Sequence, residues 1–144
     1  MKSLFLLASC LFVCTLHAQW QQSFDEALEM AHKDEKPIVL VFSGSDWCAP
    51  CIRFKRNILD SQDFKEFSES HYVMYNADFP RKKKNKLPVE LSNSNKSLAE
   101  QFNPKGYFPL VVVLDKEKSV LGKTGFNKKT TPTEFISLLN SFVK

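Results

Sequence analysis

Cysteine is scarce in this chain of 144 residues, and its four copies fall into two groups. Cys10 and Cys14 lie in an apolar leader, whereas Cys48 and Cys51 are separated by only two residues. A disulfide framework is therefore excluded, because a single loop this short stabilises a fold very little. A structural zinc site is excluded too, because it needs four ligands and a second cysteine pair is missing. Haem attachment would require His where the sequence has Ile52. We expect neither a metal nor another cofactor.

The sequence also lacks a membrane-spanning run, a strong charge and an internal repeat. The apolar segment Leu4–Leu16 is too short to cross a bilayer as a stable helix. The net charge of +4 points to no particular class of partner. The length suits one domain with a real hydrophobic core rather than two.

The N-terminus has the pattern of a secretory signal. Lys2 supplies a short positive segment, the apolar run follows, and Ala18 is a small residue at the cleavage position. We therefore expect residues 1–18 to be removed and residues 19–144 to form the domain. The protein would then be periplasmic or secreted. Export implies an oxidising compartment, where the remaining cysteine pair is naturally interpreted as a working redox pair.

Two alternatives for the leader stay open. Leu7-Ala8-Ser9-Cys10 resembles a bacterial lipoprotein box, in which Cys10 would be acylated and the protein would be attached to a membrane. The leader could instead be a buried helix or an anchor, since Leu16 replaces the small residue usual two positions before Ala18.

The cysteine pair stands between a predicted strand and a predicted helix. The apolar run Pro37–Phe42 precedes the motif Trp47-Cys48-Ala49-Pro50-Cys51, and a helix is predicted over Ile52–Leu59. A thiol at a helix N-terminus lies at the positive end of the helix dipole, which favours the thiolate. The thiolate is the species that attacks disulfides, and a second thiol one turn along can close on the first.

The remaining periodicity predicts an α/β domain. A capping box at Ser23 starts a helix over residues 24–34, and Thr131 starts a last helix with Phe135, Leu138, Leu139 and Phe142 on one face. Short apolar runs predict strands, with a possible bulge at Gly125. The order favours a mixed sheet of about four strands with helices on both faces. The strands are predicted over residues 38–42, 72–77, 109–114 and 120–124.

Residues 79–95 differ in composition from the rest of the chain. Arg81–Lys86 is a run of positive charge, and a Ser/Asn-rich stretch follows it. The pattern predicts an inserted, solvated loop before a short helix over Lys96–Phe102. The alternative is a docking surface for an acidic partner or a membrane surface. Nucleic acid is not expected as a partner, because no aromatic residues interrupt the basic run.

The element order, the Trp47–Cys51 motif and a Phe108-Pro109 step entering a strand resemble the thioredoxin superfamily. The resemblance covers about Phe24–Val143 and is strongest to secreted bacterial thioredoxin-like proteins of the thiol:disulfide interchange type. It implies a thioredoxin fold with Cys48 as nucleophile, Cys51 as resolving thiol and a redox disulfide between them.

The resemblance also implies a substrate-binding surface around the cysteines. Trp47 would shield the pair, and Pro50 would restrain the first helical turn, where its missing N–H costs nothing. Pro109 would be a cis-proline beside the cysteines, with Phe108 contacting the substrate.

Two positions depart from the family pattern. Phe42 stands where thioredoxins carry a buried acid that assists proton transfer from the resolving thiol, and Asp46 nearby is expected to face solvent. Without that acid, proton transfer from the resolving thiol must rely on water or another group. The second departure is the dipeptide between the cysteines, which is Ala49-Pro50 rather than Gly-Pro.

The predicted function is thiol:disulfide oxidoreductase activity on protein disulfides in the bacterial envelope, in the reductase or isomerase direction. Partners would be protein thiol or disulfide substrates and an upstream redox partner, and a monomer is expected. The alternative is an adaptor or binding module with a thioredoxin fold, in which the cysteines are incidental and the basic run is the contact surface.

Overall fold

A computed structural model describes residues 19–144, which form one mixed sheet of four strands. The strands are β1 (Ile38–Ser43), β2 (Val73–Asp78), β3 (Leu110–Leu114) and β4 (Val120–Thr124), arranged in the order β2-β1-β3-β4. β1 runs parallel to β2 and antiparallel to β3, which in turn is antiparallel to β4. The predicted mixed sheet of four strands is confirmed.

Within residues 19–144, five α-helices cover the two faces of this sheet. α1 (Phe24–Asp34) and α4 (Val89–Phe102) pack on one face. α2 (Ala49–Phe54), α3 (Gln62–His71) and α5 (Pro132–Phe142) pack on the other. α2 continues into a π-helical turn over Lys55–Leu59. Helices on both faces were expected from the sequence, and the structure confirms them.

Hydroxyl side chains cap the first turns of α1, α3 and α5. Ser23, Ser61 and Thr131 each accept a hydrogen bond from a backbone N–H in the first turn of α1, α3 and α5. Each cap pairs an N–H that the helix itself leaves without a partner. Thr131 and Glu134 complete a reciprocal capping box.

β1 lies at the centre of the core. Its first five residues are almost completely buried, because alternate side chains enter the two hydrophobic layers. Ile38, Leu40 and Phe42 face α1 and α4, whereas Val39 and Val41 face α2 and α5. A strand buried on both faces is a rigid support for whatever follows it.

The predicted start of the fourth helix was wrong. α4 begins at Val89, not at Lys96, so the second half of the predicted loop is helical. The cause is tertiary: Asn95 is buried, accepts a hydrogen bond from the Tyr75 hydroxyl at 2.6 Å and donates one to the Asp78 carbonyl at 3.0 Å. These bonds attach a polar stretch to β2 and stabilise it as a helix.

Two smaller expectations also need correction. The irregularity in the sheet lies opposite Val113 and Leu114, where the β3–β4 register shifts, and not at Gly125. In α5 the buried side chains are Phe135 and Leu139, whereas Leu138 is 37% exposed.

The leader falls outside the described residues, and with it the predicted signal over 1–18, Cys10 and Cys14. From residue 19 to the C-terminus, no helix is long and apolar enough to cross a membrane.

Candidate active site

The cysteine motif lies where β1 ends and α2 begins. The Cys48 backbone N–H donates to the Gly44 carbonyl at 2.9 Å, which closes the turn after β1. Cys48 is the N-cap of α2, and its Sγ accepts a hydrogen bond from the Cys51 N–H at 3.2 Å. The two cysteines form a disulfide with an S–S distance of 2.04 Å. The predicted pair is therefore brought together at a helix N-terminus, where the dipole favours negative charge on Cys48.

Trp47 covers one side of the disulfide loop. Its indole Nε1–H donates to the Phe79 carbonyl at 2.7 Å, in the segment that follows β2. Gly44 leaves the space for this ring, because a Cβ at position 44 would lie 2.3 Å from the indole Cε2. The glycine and the hydrogen bond together fix the orientation of the tryptophan.

The Phe108-Pro109 step meets the same aromatic cluster. Its peptide bond is cis, as the resemblance implies. The Phe108 ring packs edge-on against Trp47 at 5.6 Å between centroids and against Phe79 at 5.5 Å. Pro109 is buried at the entrance to β3, whose neighbour β1 leads into the cysteine motif. Trp47, Phe108 and Phe79 thus form an aromatic wall beside the disulfide loop.

Pro50 and the exposed apolar residues complete this surface. Pro50 is exposed in the first turn of α2 and leaves no donor unpaired there. Ile52, directly after Cys51, is 46% exposed, and Tyr107, directly before Phe108, is 58% exposed. Apolar side chains exposed next to the disulfide loop are typical of a surface that contacts another polypeptide.

Phe42 leaves the protein without a buried acid at the position where thioredoxins have one. Its ring is fully buried in the layer that faces α1 and α4. A cavity of about 470 Å³ instead borders Cys51 on the side of α2. Its lining includes Ser43, Lys55 and Asn76, so polar and titratable groups line the space beside the resolving cysteine.

Asp46 has a role that the sequence did not reveal. Its carboxylate accepts hydrogen bonds from the backbone N–H groups of Arg81 and Lys82 at 2.9 and 3.0 Å, and from Asn85 Nδ2 at 2.9 Å. The Arg81 N–H bond, followed by that from Asn85, holds the pKa of Asp46 below its usual value. The partners lie 35 to 39 residues away, so no local pattern could have indicated the contact.

Arg81 is a second residue that the sequence did not single out for this site. Its guanidinium lies 3.7 Å from the centroid of the Trp47 ring, in a cation–π contact. The first residue of the basic run is therefore in contact with the tryptophan of the cysteine motif.

A central mixed sheet, a cysteine pair at a helix N-terminus and a cis-proline at the start of the neighbouring strand define a thioredoxin-fold protein. A family model described as Thioredoxin-like matches residues 19–116. The chain belongs to the thioredoxin-like family, and the fold predicted from the sequence is confirmed.

Two proteins of Chlamydia pneumoniae are similar to this chain in sequence. The chain is 41% identical over 114 residues to "Disulfide bond reductase DsbH" of Chlamydia pneumoniae, a match that covers 79% of this chain and 66% of that protein. It is 26% identical over 107 residues to "Thioredoxin-related protein DsbJ" of the same organism, covering 74% of this chain and 30% of that protein. The matches thus span just under two thirds and under one third of these two relatives.

A solved structure described as "DsbH Oxidoreductase" superposes with a TM-score of 0.80 at 35% sequence identity. That superposition covers 98% of this chain and 94% of the other. The likeness therefore extends over nearly the whole of both chains.

Proposed function

We propose that the protein is a thiol:disulfide oxidoreductase that reduces disulfides of other proteins. The observation that carries the proposal is the Cys48–Cys51 disulfide, with Cys48 at the N-terminus of α2 and its sulfur accepting the Cys51 N–H. The relative named as a disulfide bond reductase supports the reducing direction.

The proposed reaction begins with the reduced protein. The Cys48 thiolate attacks one sulfur of a substrate disulfide, forms a mixed disulfide and releases the other substrate sulfur as a thiolate, which takes up a proton. Cys51 then loses its proton and attacks Cys48 Sγ. The substrate leaves as a dithiol, and two electrons have passed from the protein to the substrate. An upstream reductant of the dithiol class restores the Cys48–Cys51 pair.

The surroundings of the cysteines have separable roles in this proposal. Trp47 and Phe108 form one wall of the substrate groove, and Pro109 lies at its base. Pro50 restrains the turn that holds Cys48 at the helix N-terminus. The cavity beside Cys51 gives its proton a route to solvent in place of the acid that Phe42 replaces.

Paired cysteine variants test the chemistry. Cys48→Ser should abolish reduction of an insulin-type protein disulfide, because the attacking sulfur is gone. Cys51→Ser should instead accumulate a mixed disulfide with the substrate, visible as a mass adduct that dithiothreitol removes. Full activity of Cys48→Ser would contradict the mechanism and favour the adaptor role.

A redox titration tests the direction of electron flow. Thiol–disulfide proteins range from about −270 mV for thioredoxin to about −120 mV for a strong oxidant. We expect equilibrium with glutathione buffers to give a value near the reducing end of this range. A value near the oxidising end would show that the protein makes disulfides rather than breaking them.

We also propose that the protein acts in the bacterial envelope as a monomer after export. The leader over residues 1–18 supports this location through its charge and apolar pattern. Mass spectrometry of the protein purified from the envelope should find Gln19 as the first residue. A lipid-modified Cys10 would replace this proposal by a lipoprotein.

A further inference from the structure

Residues 81–86, here called the basic arm, carry five positive charges in six positions. Arg81, Lys82, Lys83, Lys84 and Lys86 are all exposed. Within residues 19–144 the direct ion pairs involve other residues, and the Asp46 carboxylate interacts electrostatically with Lys82 alone among the five side chains of the arm. The arm is therefore a concentrated patch of available positive charge.

The arm is anchored through its main chain. Asp46 accepts the backbone N–H groups of Arg81 and Lys82 and the side-chain amide of Asn85. A 3-10 turn over Lys83–Asn85 follows. Because Asp46 binds the backbone and the amide, the arm has a fixed path, and the charged ends of its lysines stay free for a partner.

The anchor places the charge at the edge of the substrate groove. Asp46 directly precedes Trp47, and Arg81 stacks on the Trp47 ring at 3.7 Å. Phe79, just before the arm, accepts the Trp47 indole N–H and packs on Phe108. A polypeptide whose disulfide reached Cys48 along the aromatic wall would therefore pass beside the arm.

A cavity of about 390 Å³ lies between the arm and α4. Lys86 and Lys96 contribute positive charge to its lining, and Phe79 and Leu87 contribute apolar surface. The lining also includes Asp78, whose carboxylate already accepts hydrogen bonds from Ser45 and from the Phe79 N–H. A carboxylate on a short aliphatic stem, such as a glutamate side chain, suits the two lysines and the apolar surface. The patch and the cavity thus favour the same kind of ligand.

We infer that the basic arm binds acidic residues flanking the disulfide of the polypeptide substrate and so selects acidic substrates. The inference rests on the proposed reductase function and names its substrate class. Exposed complementary charges act mainly by speeding encounter and suppressing wrong partners, so the selection should appear in kcat/KM and should weaken with salt.

A matched peptide pair tests this selection. The two peptides share one intramolecular disulfide and differ only in carrying two Glu or two Gln residues next to the cysteines. We expect wild type at low ionic strength to reduce the Glu peptide roughly tenfold more efficiently, a preference that 0.5 M NaCl largely removes. Lys83→Gln combined with Lys84→Gln should lower the Glu preference severalfold and leave the Gln peptide unaffected.

Lys33→Gln combined with Lys118→Gln is the control. Both lysines are exposed near the end of the sheet opposite the cysteine motif, and the substitution removes the same total charge. This variant should keep the wild-type preference. Equal loss in the control would overturn the inference, because the effect would then follow net charge rather than the arm.

The remaining outcomes distinguish a failure of the acidic-substrate inference from a failure of the proposed reductase function. Equal kcat/KM for the two peptides in wild type would overturn the inference and leave the reductase function intact. Failure to reduce either peptide, or insulin, would overturn the reductase function and the inference with it. Arm-dependent sedimentation with phosphatidylglycerol vesicles, together with no peptide preference, would overturn it in favour of a membrane surface.

Discussion

Trp47 is held by three different kinds of contact. Its indole N–H donates to Phe79, its face lies under the Arg81 guanidinium, and its ring packs at a steep angle against that of Phe108. Gly44 permits all three, because it is the residue with no side chain to occupy the space of the ring. The position of the tryptophan thus depends on a residue outside the cysteine motif.

Gly44→Ala should displace the indole from this position. The added Cβ would lie 2.3 Å from Cε2, so the ring must move and its bond to Phe79 must lengthen or break. We expect kcat/KM for protein disulfide reduction to fall roughly tenfold, because misplaced binding groups lose orientation. In a Trp20→Phe background, Trp47 emission should shift as the ring changes its surroundings.

Gly125→Ala is the matched control for this substitution. A Cβ at Gly125 would lie 3.8 Å from the Pro109 carbonyl oxygen, which is an ordinary van der Waals contact. Activity and emission should stay at wild-type values. Wild-type behaviour of the Gly44→Ala variant would show that the tryptophan is not constrained in the way described.

For individual residues, the sequence predicted the site where the interacting groups are close together in the chain. The spacing of Cys48 and Cys51 and their place before a helix indicated a redox pair without any knowledge of the fold. Asp46 and Arg81 were missed, because their partners come from distant parts of the chain. A charged residue in a turn has the same sequence pattern whether it faces water or holds another segment.

Among the elements, α4 departs most from its sequence pattern. Its first half is rich in serine and asparagine, which compete for backbone hydrogen bonds and favour turns. The helix forms because Asn95, Leu98 and Phe102 are buried against the sheet. Tertiary packing outweighs a weak local propensity here.

Asn95→Ala should therefore destabilise the whole domain. It leaves the Tyr75 hydroxyl and the Asp78 carbonyl without their buried partner. We expect a loss of about 2 kcal/mol in the free energy of unfolding, measured by urea denaturation of the oxidised protein. Asn93→Ala, an exposed position on the same helix, should change stability by less than about 0.5 kcal/mol. Equal effects of the two substitutions would rule out the anchoring role.

The strands and the other helices were predicted more closely. Continuous apolar runs identified β1 and β3, because strands buried on both faces carry little polar alternation. Capping residues identified the starts of α1 and α5. The register shift between β3 and β4 could not be located, since it depends on the pairing of two strands rather than on either one.

For the molecule as a whole, two buried tyrosines link stability to alkaline pH. Burial raises the pKa of Tyr72 and of Tyr75 to about 12, from an ordinary value of 10.0. The unfolded chain would release these protons near pH 10, whereas the folded protein holds them to about pH 12. Stabilisation is therefore complete below pH 10 and is lost as the pH rises from 10 to 12.

Urea unfolding of the oxidised protein at pH 9 and pH 11.5 tests this dependence. Wild type should lose about 1–2 kcal/mol more over this interval than Tyr72→Phe, which has no phenol to titrate at that position. Tyr107→Phe is the control, because Tyr107 is 58% exposed, and it should follow wild type. Identical losses in Tyr72→Phe and wild type would contradict the assignment to Tyr72.

The architecture was predictable because element order and apolar pattern restrict the possible sheets. The contact between the segment after β2 and the cysteine motif could not be predicted, because that contact exists only once the sheet has formed. β1 and β2 are parallel, so both strands end at the same edge. The residues following each strand are neighbours in space although 30 or more positions separate them in the chain.

At this shared edge of the sheet, two stretches of the chain contribute different groups to the site. Residues 44–51 hold the reacting sulfurs, and residues 79–86 supply charge beside them, joined mainly through Asp46 and Trp47. In the second stretch Phe79 packs against the hydrophobic core, whereas residues 81–86 are exposed. The exposed part of this stretch is therefore exchangeable: a differently charged segment between Pro80 and Leu87 that keeps the bonds to Asp46 would change which proteins are reduced and leave the electron transfer at the two cysteines unchanged.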